Sequence, residues 1–105
     1  MSSLTLAQSR EYLLRAIKKA EEQGAKMSFA IVDEGGNLKA LARMDGASFP
    51  TAKIAEGKAF TSVAWQMSSS EAADIFTVPE RLIFSTAISS MYPGRFTPGK
   101  GGLPI

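Results

Sequence analysis

Along the first two dozen residues, Leu6, Leu13, Ala16, Ile17 and Ala20 recur at the spacing that lines one face of a helix. Thr5 and Gln8 hold the two positions of a capping box, and Gly24 stands where a helix ends on a left-handed glycine. The period then changes. Met27 to Asp33 is a short apolar, branched run of strand length, and Leu38 to Met44 alternates. Between them, Glu34-Gly35-Gly36-Asn37 is turn chemistry, because glycine and asparagine tolerate positive φ. The pattern predicts a β-hairpin over residues 27–44. In it Asp33 accepts backbone hydrogen bonds in an Asx-type turn, and Gly35 and Gly36 supply the backbone freedom.

Asp45 to Ser48 reads as a loop, with Ser48 placed to cap a helix that carries Pro50 in its first turn. From Thr51 to Met67, Ala52, Ala55, Ala59 and Val63 form a stripe of small residues. That stripe predicts a helix lying close across the apolar face of the hairpin. Gly57 inside it costs about 1 kcal/mol relative to alanine, so something is expected to approach closely there. Ser68 and Glu71 predict a second capped helix ending at Ile75 or Phe76. Thr77, Pro79 and Glu80 predict another, through about Ser89. Tyr92 to Gly102 is a glycine- and proline-rich loop, and Leu103-Pro104-Ile105 reads as the start of a strand. Helix, hairpin, three helices and a strand start make an α+β fold with an antiparallel sheet.

Composition narrows the chemistry. With 105 residues the chain is one domain or part of one. It has no cysteine and no histidine, which removes disulfides, thiolate nucleophiles, zinc–thiolate sites and any Ser-His-Asp triad. No metal site is expected. Twelve basic residues against ten acidic give a net charge of +2, dispersed without a run of the kind that binds nucleic acid. Charges appear within the first dozen residues and no apolar run is long enough to span a bilayer, so the expectation is a cytoplasmic protein without membrane or nucleic-acid partners.

Four segments taken together resemble the GlcG/HbpS-like family, the domain also found at the C-terminus of some corrinoid adenosyltransferases and labelled haem-degrading or haem-binding. They are Val32-Asp33-Glu34-Gly35-Gly36, Arg43-Met44-Asp45, Lys58-Ala59 and Gly101-Gly102-Leu103-Pro104-Ile105, in the family's order and spacing. The resemblance implies a profilin-like antiparallel sheet with packed helices, assembled into oligomers. It also implies that further strands and a final helix follow the G-G-x-P-I segment. On that reading residues 1–105 are a single domain, incomplete at its C-terminus. The missing strands are expected from a second polypeptide, a swapped neighbour or a further length of chain.

The residues leave several roles open. Arg43 and Asp45, two apart on a strand, share a face and can form a surface ion pair, or Arg43 can hold a carboxylate or haem propionate with its planar fork. Lys58 is either a lysine whose stem covers apolar surface or a cation pointing at a pocket under Gly101 and Gly102, binding an anion or acting as a base. Tyr92, Arg95 and Lys100 lie on the loop. Haem is suggested by the resemblance alone. Of the side chains that hold haem iron only methionine and tyrosine are present, and Met27 and Met44 are expected to pack in the core as strand residues. Three functions are consistent with this. One is an oligomeric binding protein for a small anionic or haem-like ligand, contacted by Arg43, Asp45, Lys58, Gly101 and Gly102. The second is an enzyme or enzyme subunit acting on a small carboxylate or carbonyl compound with Lys58 as base or clamp. The third is an accessory subunit that completes a partner's sheet.

Overall fold

The computed structural model describes residues 4–102. The expected order of elements is present. Helix α1 runs Leu6–Glu22, strand β1 Ser28–Val32 and strand β2 Leu38–Arg43; helices α2, α3 and α4 run Pro50–Trp65, Ser69–Phe76 and Leu82–Met91, with a short 3-10 turn at Pro79–Arg81 before α4. The fold is α+β. The strand expected at Leu103-Pro104-Ile105 lies outside the described residues.

The local signals at α1 act as expected. Thr5 Oγ1 accepts from Gln8 N–H at 3.1 Å while Gln8 Oε1 accepts from Thr5 N–H at 2.9 Å, a complete capping box. Gly24, at φ 68°, follows the helix end. Strands β1 and β2 pair antiparallel from Ser28↔Arg43 to Val32↔Leu38, with a register shift between Ile31 and Val32. Helix α2 lies chiefly along β1, while α1 rests against both strands. Leu13, Ala20, Ile31 and Phe60 are buried where these elements meet. A second apolar centre gathers Trp65, Phe76, Phe84 and Phe96, with neighbouring ring centroids 4.9–6.4 Å apart.

Three expectations change. Ser48 does not cap α2: Phe49 holds that position without a side-chain bond, and Ser48 contributes its carbonyl to Thr51 instead. Proline at the first helical position removes one donor that a cap would have satisfied. Thr77 does not open α4, because its hydroxyl donates to Ala73 O at the end of α3, so the chain passes through the 3-10 turn before the helix begins at Leu82. Met27 and Met44 sit just outside the strands, joined by a Met44 N–H to Met27 O bond of 2.9 Å, and Met27 is 45% exposed rather than part of the core.

Candidate functional site

A groove of about 540 Å³ runs between α1, α2 and the edge of β1 that faces away from β2. Its floor is mainly apolar: Leu13 and Ala16 from α1, Phe29 and Ile31 from β1, Ile54, Ala55 and Ala59 from α2. The bond between Met44 and Met27 makes them a hydrogen-bonded pair of the ladder. By the alternation of antiparallel pairing, Ser28 and Ala30 direct their N–H and C=O groups into this groove.

Its charge has one sign. Lys26, Lys58 and Lys100 line the groove and, among the described residues, no Asp or Glu does. None of the three is in an ion pair among the described residues. Lys58 is half-buried, and its side chain runs beneath the loop that closes one end. A Cβ added to Gly101 would sit 3.6 Å from Lys58 Cδ and 3.7 Å from its Nζ, and one on Gly99 3.6 Å from its Cε. A Cβ on Gly102 would sit 2.6 Å from the Lys58 carbonyl oxygen, so only glycine allows the loop to lie this close.

Two buried hydroxyls hold that loop. Ser69, at the start of α3, accepts from Gly102 N–H through Oγ at 2.7 Å, donates its own N–H to Gly102 O at 2.9 Å and accepts Gly99 N–H on its carbonyl at 2.9 Å. Thr61 Oγ1 donates to Gly57 O at 2.8 Å and accepts from Thr97 N–H at 2.6 Å. Both residues are fully buried. A third tie comes from Arg95, which donates to Gly36 O at 2.5 Å and places its guanidinium 4.5 Å above the Phe60 ring.

Lys58, Gly101 and Gly102 are therefore brought together at one end of the groove. Because Gly102 N–H is already bonded to Ser69 Oγ, the amide of the glycine pair without a partner among the described residues is that of the exposed Gly101. Arg43 and Asp45 lie elsewhere, in a shallow depression of about 490 Å³ beside Ile17, Glu21 and Ala25. They do not pair with each other: Arg43 Nη1 donates to Ala47 O at 2.7 Å, closing the turn after β2. Asp33 is the turn acceptor expected, its Oδ1 receiving Gly35 N–H at 2.9 Å and Asn37 N–H at 3.0 Å. Those bonds, the one from Asn37 first, hold its carboxyl below the usual aspartate value. Gly36, at φ 78°, leaves room for Phe60, whose ring atoms a Cβ would meet at 2.8 Å.

Sequence reasoning missed Lys26 and Ser69. A lone lysine after a helix and a serine at a helix's first position carry no local signal; each acquires its role from what the chain brings alongside. Among the described residues no group of three His, Cys, Asp or Glu side chains could hold a metal, and no helix is long and apolar enough to cross a membrane.

Residues 4–105 match the family model described as "Haem degrading protein HbpS-like". The whole chain is 27% identical to an uncharacterized 15.0 kDa protein of Citrobacter freundii, encoded in the dhaT-dhaS intergenic region, and covers 72% of it. Among solved structures, it superposes on the Klebsiella pneumoniae protein ORFY with a TM-score of 0.86 at 26% identity, covering 100% of this chain and 70% of that one. A double mutant of HbpS from Streptomyces reticuli superposes with a TM-score of 0.73 at 31% identity, covering 96% of this chain and 68% of that one.

Proposed function

The chain belongs to the HbpS-like family, and from that premise we propose that it is a binding protein that holds a small, largely apolar anion in the groove over β1. The observation that carries this is the lining itself: apolar walls and, among the described residues, three lysines without an ion pair and no Asp or Glu. An apolar body gains by leaving water against Leu13, Phe29, Ile31 and Ile54, and its acidic group gains by meeting Lys58 and the open Gly101 amide. Ligand pockets commonly have this composition, with few polar groups fixing orientation, and span roughly 300–1,000 Å³. Arg43 and Asp45 take no part in this reading.

Haem is the ligand the family's description suggests. The donors here do not fit a haem held through its iron. The chain has no histidine or cysteine, and the side chains along the groove that iron accepts are Tyr12 and Met27, both more than 40% exposed at its rim. The lining fits instead a porphyrin-like or smaller acid held by its carboxylates and its apolar face. Titration with haem and with iron-free protoporphyrin IX tests this. Both should saturate with similar affinity, and Lys58→Ala should weaken both by about tenfold, the equivalent of one charge-assisted contact. Binding that never saturates, or that requires iron, would overturn it.

The two-stranded sheet favours a second statement, about assembly. Two strands are marginal alone, and among the described residues no strand pairs with the edge of β2 that faces away from β1, an edge that accepts another strand. We read the sheet as completed by strands beyond the described residues, in an assembly of several copies of the chain.

A further inference from the structure

The α2 wall of the groove carries Thr51, Ile54, Ala55 and Lys58, positions that share one face of a helix. Thr51 and Lys58 are two turns apart, about 10 Å along the axis. Lys58 is the cationic end. At the other end Thr51 Oγ1 lies 2.6 Å from Ser28 Oγ of β1 and 2.7 Å from Ser48 O. Each hydroxyl owns one proton, and these two contacts decide where both protons go. Ser48 O is a carbonyl with no proton to give, so Thr51 donates to it. With its proton spent, Thr51 only accepts at the other contact, so Ser28 donates there. Donation therefore runs from Ser28 to Thr51 to Ser48, and Ser28 Oγ keeps lone pairs alone.

Among the described residues nothing else bonds to Ser28 Oγ. Lys26, the nearest cation along the chain, is drawn to the loop after β2: a Cβ on Gly46 would stand 2.7 Å from Lys26 Cδ and 3.1 Å from its Nζ. Ser28 and Thr51 both line the groove and are half-buried.

We propose that Ser28 Oγ is a specificity-determining acceptor. Among the acids the groove holds, it selects those carrying a hydroxyl or N–H donor about 10 Å from the acid group. The inference rests on the reading of the groove as a ligand site, and it supplies the second pole of that site. An ω-hydroxy acid meets both poles. Its carboxylate reaches Lys58, its apolar middle lies along Ile54 and Ala55, and its hydroxyl donates to Ser28 Oγ. An ether in the hydroxyl's place sets lone pairs against lone pairs, and a methyl end strips water from Ser28 without replacing it.

The probes are ω-hydroxyoctanoic acid, its methyl ether and octanoic acid, titrated into the isotope-labelled full-length protein and followed by the amide shifts of β1 and α2. The hydroxy acid should bind about fivefold more tightly than the ether, the worth of one neutral hydrogen bond. In Ser28→Ala, which keeps the backbone groups of β1, that preference should vanish. Thr51→Val gives a readout that a merely structural role would not move. It frees the Ser28 proton for donation, so the ether should gain on the hydroxy acid. If the wild type binds hydroxy acid and ether alike, or Ser28→Ala keeps the preference, this proposal fails while the groove reading stands. Should none of the three acids shift the groove's amides, both fall. If Ser28→Ala does not fold, the wild-type preference and Thr51→Val decide.

Discussion

Gly57 of α2 and Thr97 of the closing loop occupy one space: a Cβ on Gly57 would overlap Thr97 Oγ1 and stand 2.9 Å from Thr97 Cβ, with Arg95 O at 3.2 Å. The glycine is therefore the seat of the loop that carries Gly101 and Gly102 to Lys58. Alanine at this position has two opposed effects. It improves helix propensity by about 1 kcal/mol, but it forces the loop outward, and overpacking of this kind costs about 1–3 kcal/mol. The contact is to a β-branched side chain and to backbone, neither of which yields easily, so overpacking wins. Gly57→Ala should lower the thermal midpoint and weaken porphyrin binding together. A higher midpoint would show that the loop moves aside at no cost.

Ser69 makes a separable prediction. Its Oγ is the acceptor for the buried Gly102 N–H, and Ser69→Ala leaves that donor unsatisfied at a cost of about 1–3 kcal/mol. The two backbone bonds of Ser69 remain, so the loop should loosen without detaching. Hydrogen exchange should quicken at Gly99 and Gly102 while the amides of β1 and β2 keep their protection. Equal loss of protection in the hairpin would mean that Ser69 supports the whole fold rather than the loop.

How much of this was legible beforehand follows the range of each interaction. The caps at Thr5 and Ser68 and the Asp33 turn involve residues two to four apart, and the sequence displays both partners. Gly57 announced a close approach, but the identity of the approaching group, Thr97, depends on a contact 40 residues away. Lys58 was legible as a candidate because it shares a motif with Ala59. Lys26 and Ser69 were not, since their partners are set by tertiary packing. Arg43 and Asp45 misled for the converse reason: strand parity puts them on one face, yet the turn that follows gives Arg43 a carbonyl at Ala47 to bind instead.

Asp33 supplies a pH dependence of known sign. Its folded pKa lies below the ordinary aspartate value because it accepts the Asn37 and Gly35 amides. The unfolded chain therefore binds the proton first as pH falls. The stabilisation is complete at neutral pH, begins to fade near the unfolded value of about 3.9 and is lost through the lower, folded one. Thermal melts between neutral pH and pH ~3 should show a steeper acid decline for the wild type than for Asp33→Asn, which keeps a turn acceptor but cannot titrate. Parallel curves for the two proteins would remove Asp33 from the acid response.

Arg95 joins the closing loop to the hairpin turn, and what it contributes distinguishes charge from geometry. Its guanidinium donates to Gly36 O while lying over Phe60, whose other neighbour is Tyr92 at a centroid distance of 5.3 Å. Lysine keeps the charge but lacks the planar fork that can donate in plane and stack on a ring at once. Arg95→Lys should therefore lose about 1 kcal/mol from the hydrogen bond or the ring contact, whichever the ammonium abandons. Arg95→Met, which keeps the stem but neither polar contact, should lose about twice that. Urea midpoints of the two variants check this. If lysine is indistinguishable from arginine, the charge near Phe60 is sufficient and the bond to Gly36 adds nothing. Should methionine be the equal of arginine as well, the stem alone seats the loop, and the ordering of Gly99 to Gly102 must come from Ser69 and Thr61.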